Sequence, residues 1–366
     1  MKKLYGSIVA FGFALAFCGL SGNAEARVTG VCSDCHTMHN SQNGASMAND
    51  GTNTPQRALT RGDCVGCHSG TALLGGSSNI PLVLKTDAAP SPVTSVLAGG
   101  NFYWVADAQG DVDKKGHNVK GIATQDGAAF GLTPPGWSND ATFTPTGGSQ
   151  VAGGAASWAS QLTCAGSYGC HGKHAAADDF QDISGAHHAD DATLDGSTVG
   201  KSFRFLMGIT GVEDNDWENE TSVDRNKYKG KDRISDELAS VDKSTISFLC
   251  AECHGNFHSG TGNTGVDSTF GAPWLRHPVD FDLSDATGSE YAAYVDNAEA
   301  PVGVVNLAAA VNPAVAGQAI VTCISCHRAH GTSFDDLLRW DYATMNAHNA
   351  GAAADSGCFK CHTNKD

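Results

Sequence analysis

Apolar positions are spread unevenly along this chain. Lys2 and Lys3 lead into an apolar run from Tyr5 to Leu20, which ends at Ala24-Glu25-Ala26. A basic start, a short apolar stretch and a small-residue cleavage site predict a secretory signal over residues 1–26, with the mature chain beginning near Arg27. The run is too short and wrongly flanked for a membrane anchor, and no later segment is long and apolar enough to span a bilayer. Cys18 lies inside the run, but bulky Phe17 before it disfavours lipidation.

After the leader, the apolar residues come in short pieces with little periodicity. Ile80–Lys85 and Phe102–Val105 have the look of short strands. Ser240–Cys250 carries the best helical pattern, Ser284–Asn297 is a second candidate, and Gln56–His68 reads as a short helix. Residues 133–136 (TPPG) and 147–155 (GGSQVAGGA) are loops. The charged stretch from Val212 to Glu220 lacks EF-hand spacing and reads as a solvated face. The expected fold class is mostly coil with few short helices and minor strands. No boundary divides residues 27–366, which are taken as a single unit.

Composition sharpens the problem of what such a chain buries. Glycine supplies 44 of 366 residues and aromatics only 8%. Large apolar side chains are too few for an ordinary core of this length, so something else must provide one. The formal charge of −16 disfavours nucleic acid and anionic membranes as partners. It suits a surface that meets cations, metal oxides or basic redox partners.

The cysteines supply the missing core. C-x-x-C-H occurs at Cys32/Cys35/His36, Cys64/Cys67/His68, Cys250/Cys253/His254, Cys323/Cys326/His327 and Cys358/Cys361/His362. A stretched copy runs from Cys164 to Cys170 and His171, with five residues between the cysteines. C-x-x-C-H is the attachment signature of c-type haem: each sulfur adds to a vinyl group and the histidine becomes the proximal iron ligand. Of 13 cysteines, only Cys18 is left over. A zinc reading would combine cysteine pairs into four-ligand sets, and the histidine after every second cysteine would have no role in it. The stretched copy must loop its insert outward for both sulfurs to reach a haem; its alternatives are attachment by one thioether or a local disulfide. Six haem c groups would then form a stacked core wrapped by polypeptide.

Histidine counting sets the coordination state. Of 15 histidines, six are proximal. From the other nine, His39, His117, His174, His258, His277 and His330 are the expected distal ligands, leaving His187, His188 and His348. Four of the six follow closely on a motif; His117 and His277 sit in turn or extended settings. Iron held by two histidines has no open position, has a low potential, and suits electron transport rather than catalysis. A reductase would need one open or differently ligated haem. The chain has no C-x-x-C-K, and Met38, Met47, Met207 and Met345 are its only methionines beyond the leader.

The series CSDCHTMHNS, KKGHN at His117, C-H-x-x-H at the third motif, CAECH followed by His258, LRHP at His277, CISCHRAHGTSFD and the final CFKCH resembles the hexahaem outer-surface cytochromes of metal-reducing bacteria. That resemblance implies six bis-histidine haems in a continuous stack and polymerisation into a conducting extracellular filament. It implies, too, that His39 ligates a haem of the adjacent protomer. Partners would be further copies of the chain, other redox cytochromes and external acceptors such as metal oxides. The chain departs from the family in its stretched third motif and in a shorter stretch between the fifth and sixth. The alternatives are a multihaem reductase with one open haem and a monomeric periplasmic shuttle. No catalytic residue is assigned.

Overall fold

The structure is a computed structural model, and it describes residues 31–48, 53–71, 80–91, 97–106, 113–127, 131–183, 194–214, 217, 225–233, 235, 237–259, 276–285, 291–346 and 356–363. The leader expected over 1–26 lies outside these residues, as do His187, His188 and His348.

Helices form chiefly where a haem motif requires one. They are α1 (Cys32–Cys35), α2 (Cys64–His68), α3 (Asp179–Asp182), α4 (Ile246–His258) and α5 (Cys323–Cys326). Four of these carry a cysteine pair, because positions i and i+3 of a helical turn project from one face. Their starts are capped by polar side chains. Asp63 accepts from the Gly66 N–H, Thr245 from Phe248, and Thr322 with Ser325 forms a capping box. At the first and fifth motifs the proximal histidine leaves the helix in extended backbone, with ψ 154° at His36 and 159° at His327.

The strands are two or three residues long and pair two by two: β1 (Ser41–Gln42) with β2 (Ala45–Ser46), β3 (Ser69–Gly70) with β4 (Leu84–Lys85), β5 (Thr163–Ala165) with β6 (Gly169–His171), β7 (Gly211–Val212) with β8 (Lys227–Tyr228), and β9 (Phe281–Asp282) with β10 (Ile320–Val321). The stretched motif uses one such pair. Cys164 lies in β5 and Cys170 in β6, and the two strands run parallel with Thr163 opposite Gly169 and Ala165 opposite His171. Gly166, at φ +87°, turns the insert between them. At Gly169 an added Cβ would meet Ala165 backbone at 2.3 Å, so this closure requires glycine. The insert is not thrown out into solvent: Ala165, Gly166 and Gly169 are buried and Ser167 and Tyr168 half-buried; neither cysteine is in a disulfide.

Mostly coil with few short helices and small strands is the observed architecture. Several local expectations change. Phe102–Trp104 is a 3-10 turn, not a strand, because the Asn101 side chain accepts from the Tyr103 N–H and closes it. Only Leu84–Lys85 of the 80–85 stretch is strand. The helix expected over 240–250 begins at Ile246, since Asp242 accepts from the Ser244 N–H and hydroxyl and holds a turn before it; it then runs on through the haem motif to His258. The described part of 284–297 is a 3-10 turn at Leu283–Asp285 followed by non-helical chain from Tyr291. Residues 56–68 split into a 3-10 turn at Arg57–Leu59 and α2.

Buried apolar side chains gather in five small clusters rather than one core. The largest joins Phe143, Phe203, Ile209, Ile246 and Phe248 around α4. Three of the others pack against a motif cysteine: Cys164, Cys361 and Cys253. Among the described residues, no helix is long and apolar enough to cross a membrane.

Candidate haem centres

The cysteine pairs lie in a row that follows the sequence. The Cys35 and Cys67 thiols are hydrogen-bonded, linking the first motif to the second. Cys64 is hydrogen-bonded to Cys164, linking the second to the third. Cys170 interacts electrostatically with Cys250 and Cys253. Cys250 is hydrogen-bonded to Cys323, and Cys326 interacts with Cys361 and Cys358. Each motif therefore has a cysteine within electrostatic range of the next, from Cys35 to Cys361. Burial is the main cause that pushes the Cys67, Cys170, Cys326 and Cys361 thiols up to about 12.

The histidines are arranged for iron. In His36, His68, His171, His254 and His327, Nδ1–H donates to a backbone carbonyl, that of Ala58, Pro81, Arg204, Pro135 and Asp336 respectively, at 2.6–3.0 Å. His117 and His277 do the same, to Ala329 at 2.6 Å and Pro278 at 2.7 Å. Holding the proton on Nδ1 leaves the Nε2 lone pair for a metal and fixes the plane of the ring. Burial lowers the proton affinity of His68, His117 and His277, takes His171 and His254 to about 4, and takes His330 to about 3, favouring neutral imidazoles.

At the first, third and fifth motifs the carbonyl is presented by the same device. Two consecutive non-glycine residues have positive φ: Ala58 and Leu59, Arg204 and Phe205, Asp336 and Leu337, all at +49° to +60°. The first carbonyl of each pair takes the imidazole Nδ1–H. The second takes the backbone N–H of the residue after the histidine: Thr37 to Leu59 at 2.7 Å, Gly172 to Phe205 at 2.9 Å, Arg328 to Leu337 at 2.9 Å. At two of the three, the chain then returns a bond to the preceding cysteine carbonyl, Arg61 to Cys35 and Arg339 to Cys326. Left-handed backbone at such residues costs about 1–2 kcal/mol each, so it persists only where neighbouring bonds hold it. These turns are clips that orient the proximal ring.

Two imidazole pairs stand close enough that one iron could be held between each. The ring centroids of His117 and His254 are 6.1 Å apart, and those of His277 and His362 are 6.2 Å apart. Rings facing each other across a metal with bonds of about 2 Å have centroids about 6 Å apart. His330 stacks on Phe102 at 4.7 Å, has its strongest histidine interaction with His171, and keeps a buried Nδ1 with no hydrogen-bond partner. His39 is exposed. His327 is exposed too, and no imidazole ring packs against it among the described residues.

His174 and His258 each meet a buried carboxylate. His174 Nε2 lies 2.8 Å from Glu252 Oε2, and its Nδ1 is 3.3 Å from the Gly166 carbonyl. His258 Nε2 lies 3.1 Å from Asp280 Oδ2, and its Nδ1 is 2.6 Å from Ser259 Oγ. Both nitrogens of each ring are taken by protein, and both side chains are almost fully buried. Burial opposes a charge on His174, but the Glu252 carboxylate overrides it and holds the imidazole above its usual range. For His258, burial outweighs Asp280 and keeps the ring neutral.

A family model described as "Doubled CXXCH motif" matches residues 312–366. C-type cytochrome OmcS of Geobacter sulfurreducens is 26% identical over 89% of this chain and 82% of its own length. By sequence, the chain is similar to an OmcS-type cytochrome. Two solved structures are also similar. The outer membrane cytochrome S filament of Geobacter sulfurreducens has a TM-score of 0.38 at 18% identity; the OmcS nanowires of the same organism have 0.43 at 20%. Each comparison covers 89% of this chain and 87% of the other. The cysteine pairs and the carbonyl-held imidazoles fit haem c, the group that the doubled motif attaches in an OmcS-type chain.

Proposed function

We propose that residues 27–366 are one electron-transfer unit carrying six covalently attached haem c groups, acting outside the cell. Haem c supplies reversible one-electron iron chemistry; the chain sets ligation, spacing and dielectric. Cys32/Cys35, Cys64/Cys67, Cys164/Cys170, Cys250/Cys253, Cys323/Cys326 and Cys358/Cys361 hold the porphyrins, with His36, His68, His171, His254, His327 and His362 beneath the irons. His117 serves the fourth centre, His277 the sixth, and His330 the third. The observation that carries the reading is the order of the motif cysteines, each set lying within electrostatic range of the next, which would bring neighbouring haems close in sequence order.

Copies of the chain associate end to end into a filament. His39 of one copy completes a haem of the next, and the exposed His327 marks the axial position it would fill. Other redox cytochromes load the filament, and external acceptors such as metal oxides discharge it. Pyridine haemochrome quantitation with low-temperature EPR tests the reading. Six haems per chain and an essentially all low-spin spectrum in the assembled protein are expected. A large high-spin signal, with rapid carbon monoxide or nitrite binding, would instead identify a reductase. Negative-stain imaging of wild type and His39→Ala tests assembly: filaments in the first and none in the second are expected.

A further inference from the structure

We infer that Arg204 is a fixed cation that raises the reduction potential of the third haem above the value its two imidazoles alone would give. The inference rests on the electron-transfer reading and adds to it a residue that sets the energy of one centre.

The clip at the third motif brings Arg204 to the proximal ring. Its carbonyl accepts from His171 Nδ1–H at 2.9 Å, and the residue is held at φ +49°. The guanidinium does not turn out to water, since the side chain is only 19% exposed. Nη2 donates to the Trp217 carbonyl at 3.0 Å and to Asn226 Oδ1 at 2.8 Å. Cζ lies 5.3 Å from the centre of the Phe203 ring and 5.4 Å from that of Trp217, both within cation–π range. The acceptors are themselves held. Asn226 is fully buried and its Oδ1 also takes the Asp214 N–H at 2.9 Å, while the Trp217 carbonyl takes the Ala98 N–H at 3.3 Å. The charge therefore stays in one place.

Glu213, Asp214 and Trp217 belong to the charged stretch that reads in sequence as a solvated face. The Glu213 side chain is 3% exposed; its Oε1 accepts from the Arg204 backbone N–H at 3.2 Å and lies 3.9 Å from Nε. Burial holds Glu213 above the usual carboxylate range, with Arg204 opposing it. The Arg204 charge also opposes a proton on His171 and on His330, the two rings that the reading gives to the third iron. A ferric haem carries one more positive charge than a ferrous one. A cation fixed beside both axial rings, and poorly screened there, therefore favours the ferrous state.

The test uses full-length, haem-loaded protein as wild type, Arg204→Gln, Arg204→Lys, Glu213→Gln and the double variant Arg204→Gln/Glu213→Gln. Spectroelectrochemical titration reads the potentials, and haem content and EPR check attachment and ligation. Six low-spin haems are expected throughout. In Arg204→Gln, one-sixth of the titration should lose about tenfold in ferrous preference, which is about 59 mV for one electron. Arg204→Lys keeps the charge and should stay near wild type. Glu213→Gln removes the counter-charge and should move the same fraction upward. The double variant should lie below Glu213→Gln by the step seen on losing the cation, with no carboxyl left to change its protonation. A double variant that titrates no lower than Glu213→Gln would overturn the inference. So would an Arg204→Lys protein that falls as far as Arg204→Gln, because lost packing would then be the cause. If the glutamine variants of Arg204 do not fold, Glu213→Gln decides, and an unmoved titration overturns the inference. An open, high-spin haem in wild-type protein would instead sink the electron-transfer reading, independently of the variants.

Discussion

The clip at the first motif permits a sharp test, because Ala58 is exposed and its side chain has little to lose. Its carbonyl accepts from His36 Nδ1–H at 3.0 Å while the residue sits at φ +54°. Ala58→Gly removes left-handed strain of about 1–2 kcal/mol and adds about 0.5–1 kcal/mol of unfolded-chain entropy. The net gain should be about 0.5–1 kcal/mol. Ala58→Pro cannot keep the clip, since proline fixes φ near −65°. Three hydrogen bonds then go: His36 to Ala58, Thr37 to Leu59 and Arg61 to Cys35. At about 1 kcal/mol each, the loss is about 3 kcal/mol.

The same substitution acts on the iron. An imidazole whose Nδ1–H is strongly bonded is a better donor and favours the ferric state. Losing that bond raises the potential of one haem, by about 59 mV for each tenfold of ferric preference removed. Guanidinium unfolding followed at the Soret band and a spectroelectrochemical titration read the two effects. A proline variant with wild-type stability and an unmoved titration curve would refute the claim that these turns orient and tune the proximal ring. So would a glycine variant less stable than wild type.

Other outcomes follow from the same geometry. His117→Ala and His277→Ala should each convert one low-spin haem to high-spin in EPR, with six haems still attached, because each removes one ring of a pair at 6.1 or 6.2 Å. Gly169→Ala places a Cβ 2.3 Å from Ala165 backbone and should cost the third haem, read as five haems per chain by pyridine haemochrome. Asp179 is raised to about 6 by burial, with Asp178, Asp63 and Asp182 adding repulsion. A carboxyl raised on folding contributes most below its unfolded value and loses that contribution as pH rises through the folded value. Asp179→Asn should therefore match wild type near pH 4 and exceed it in denaturant midpoint at pH 7–8.

The attachment chemistry was legible in the sequence because it is covalent and local. A cysteine pair three apart followed by histidine specifies its own helical turn and its own ligand, whatever surrounds it. The coil-rich architecture was legible for a related reason: glycine and alanine predominate, and the apolar pieces are too short to close a core. The helix and strand boundaries were not. Asn101 and Asp242 redirect the backbone through side-chain bonds that no hydrophobic period reveals. The clips were invisible as well. Arg57-Ala58-Leu59, Phe203-Arg204-Phe205 and Asp335-Asp336-Leu337 contain no glycine or asparagine to announce left-handed backbone; the histidine bond imposes it from 9 to 33 residues away.

Distal ligation is where counting alone decides least, and the reason is chemical. A histidine close behind a haem motif is near iron, but nearness does not decide what its Nε2 meets. His330 and His174 both follow a motif histidine by three residues. His330 lies against Phe102, in space that Gly99 leaves open. His174 meets a buried carboxylate instead. The deciding residue is the partner, Glu252, seventy-eight positions along the chain, and its place inside the C-x-x-C-H of the fourth motif is the only sequence signal for it. A glutamate between two haem-bearing cysteines would be buried by the porphyrin that they hold. It must then find a cation or a proton donor, and the nearest motif supplies one. His258 likewise meets Asp280, at 3.1 Å, so burial and charge, and not spacing alone, set what a histidine behind a haem motif touches.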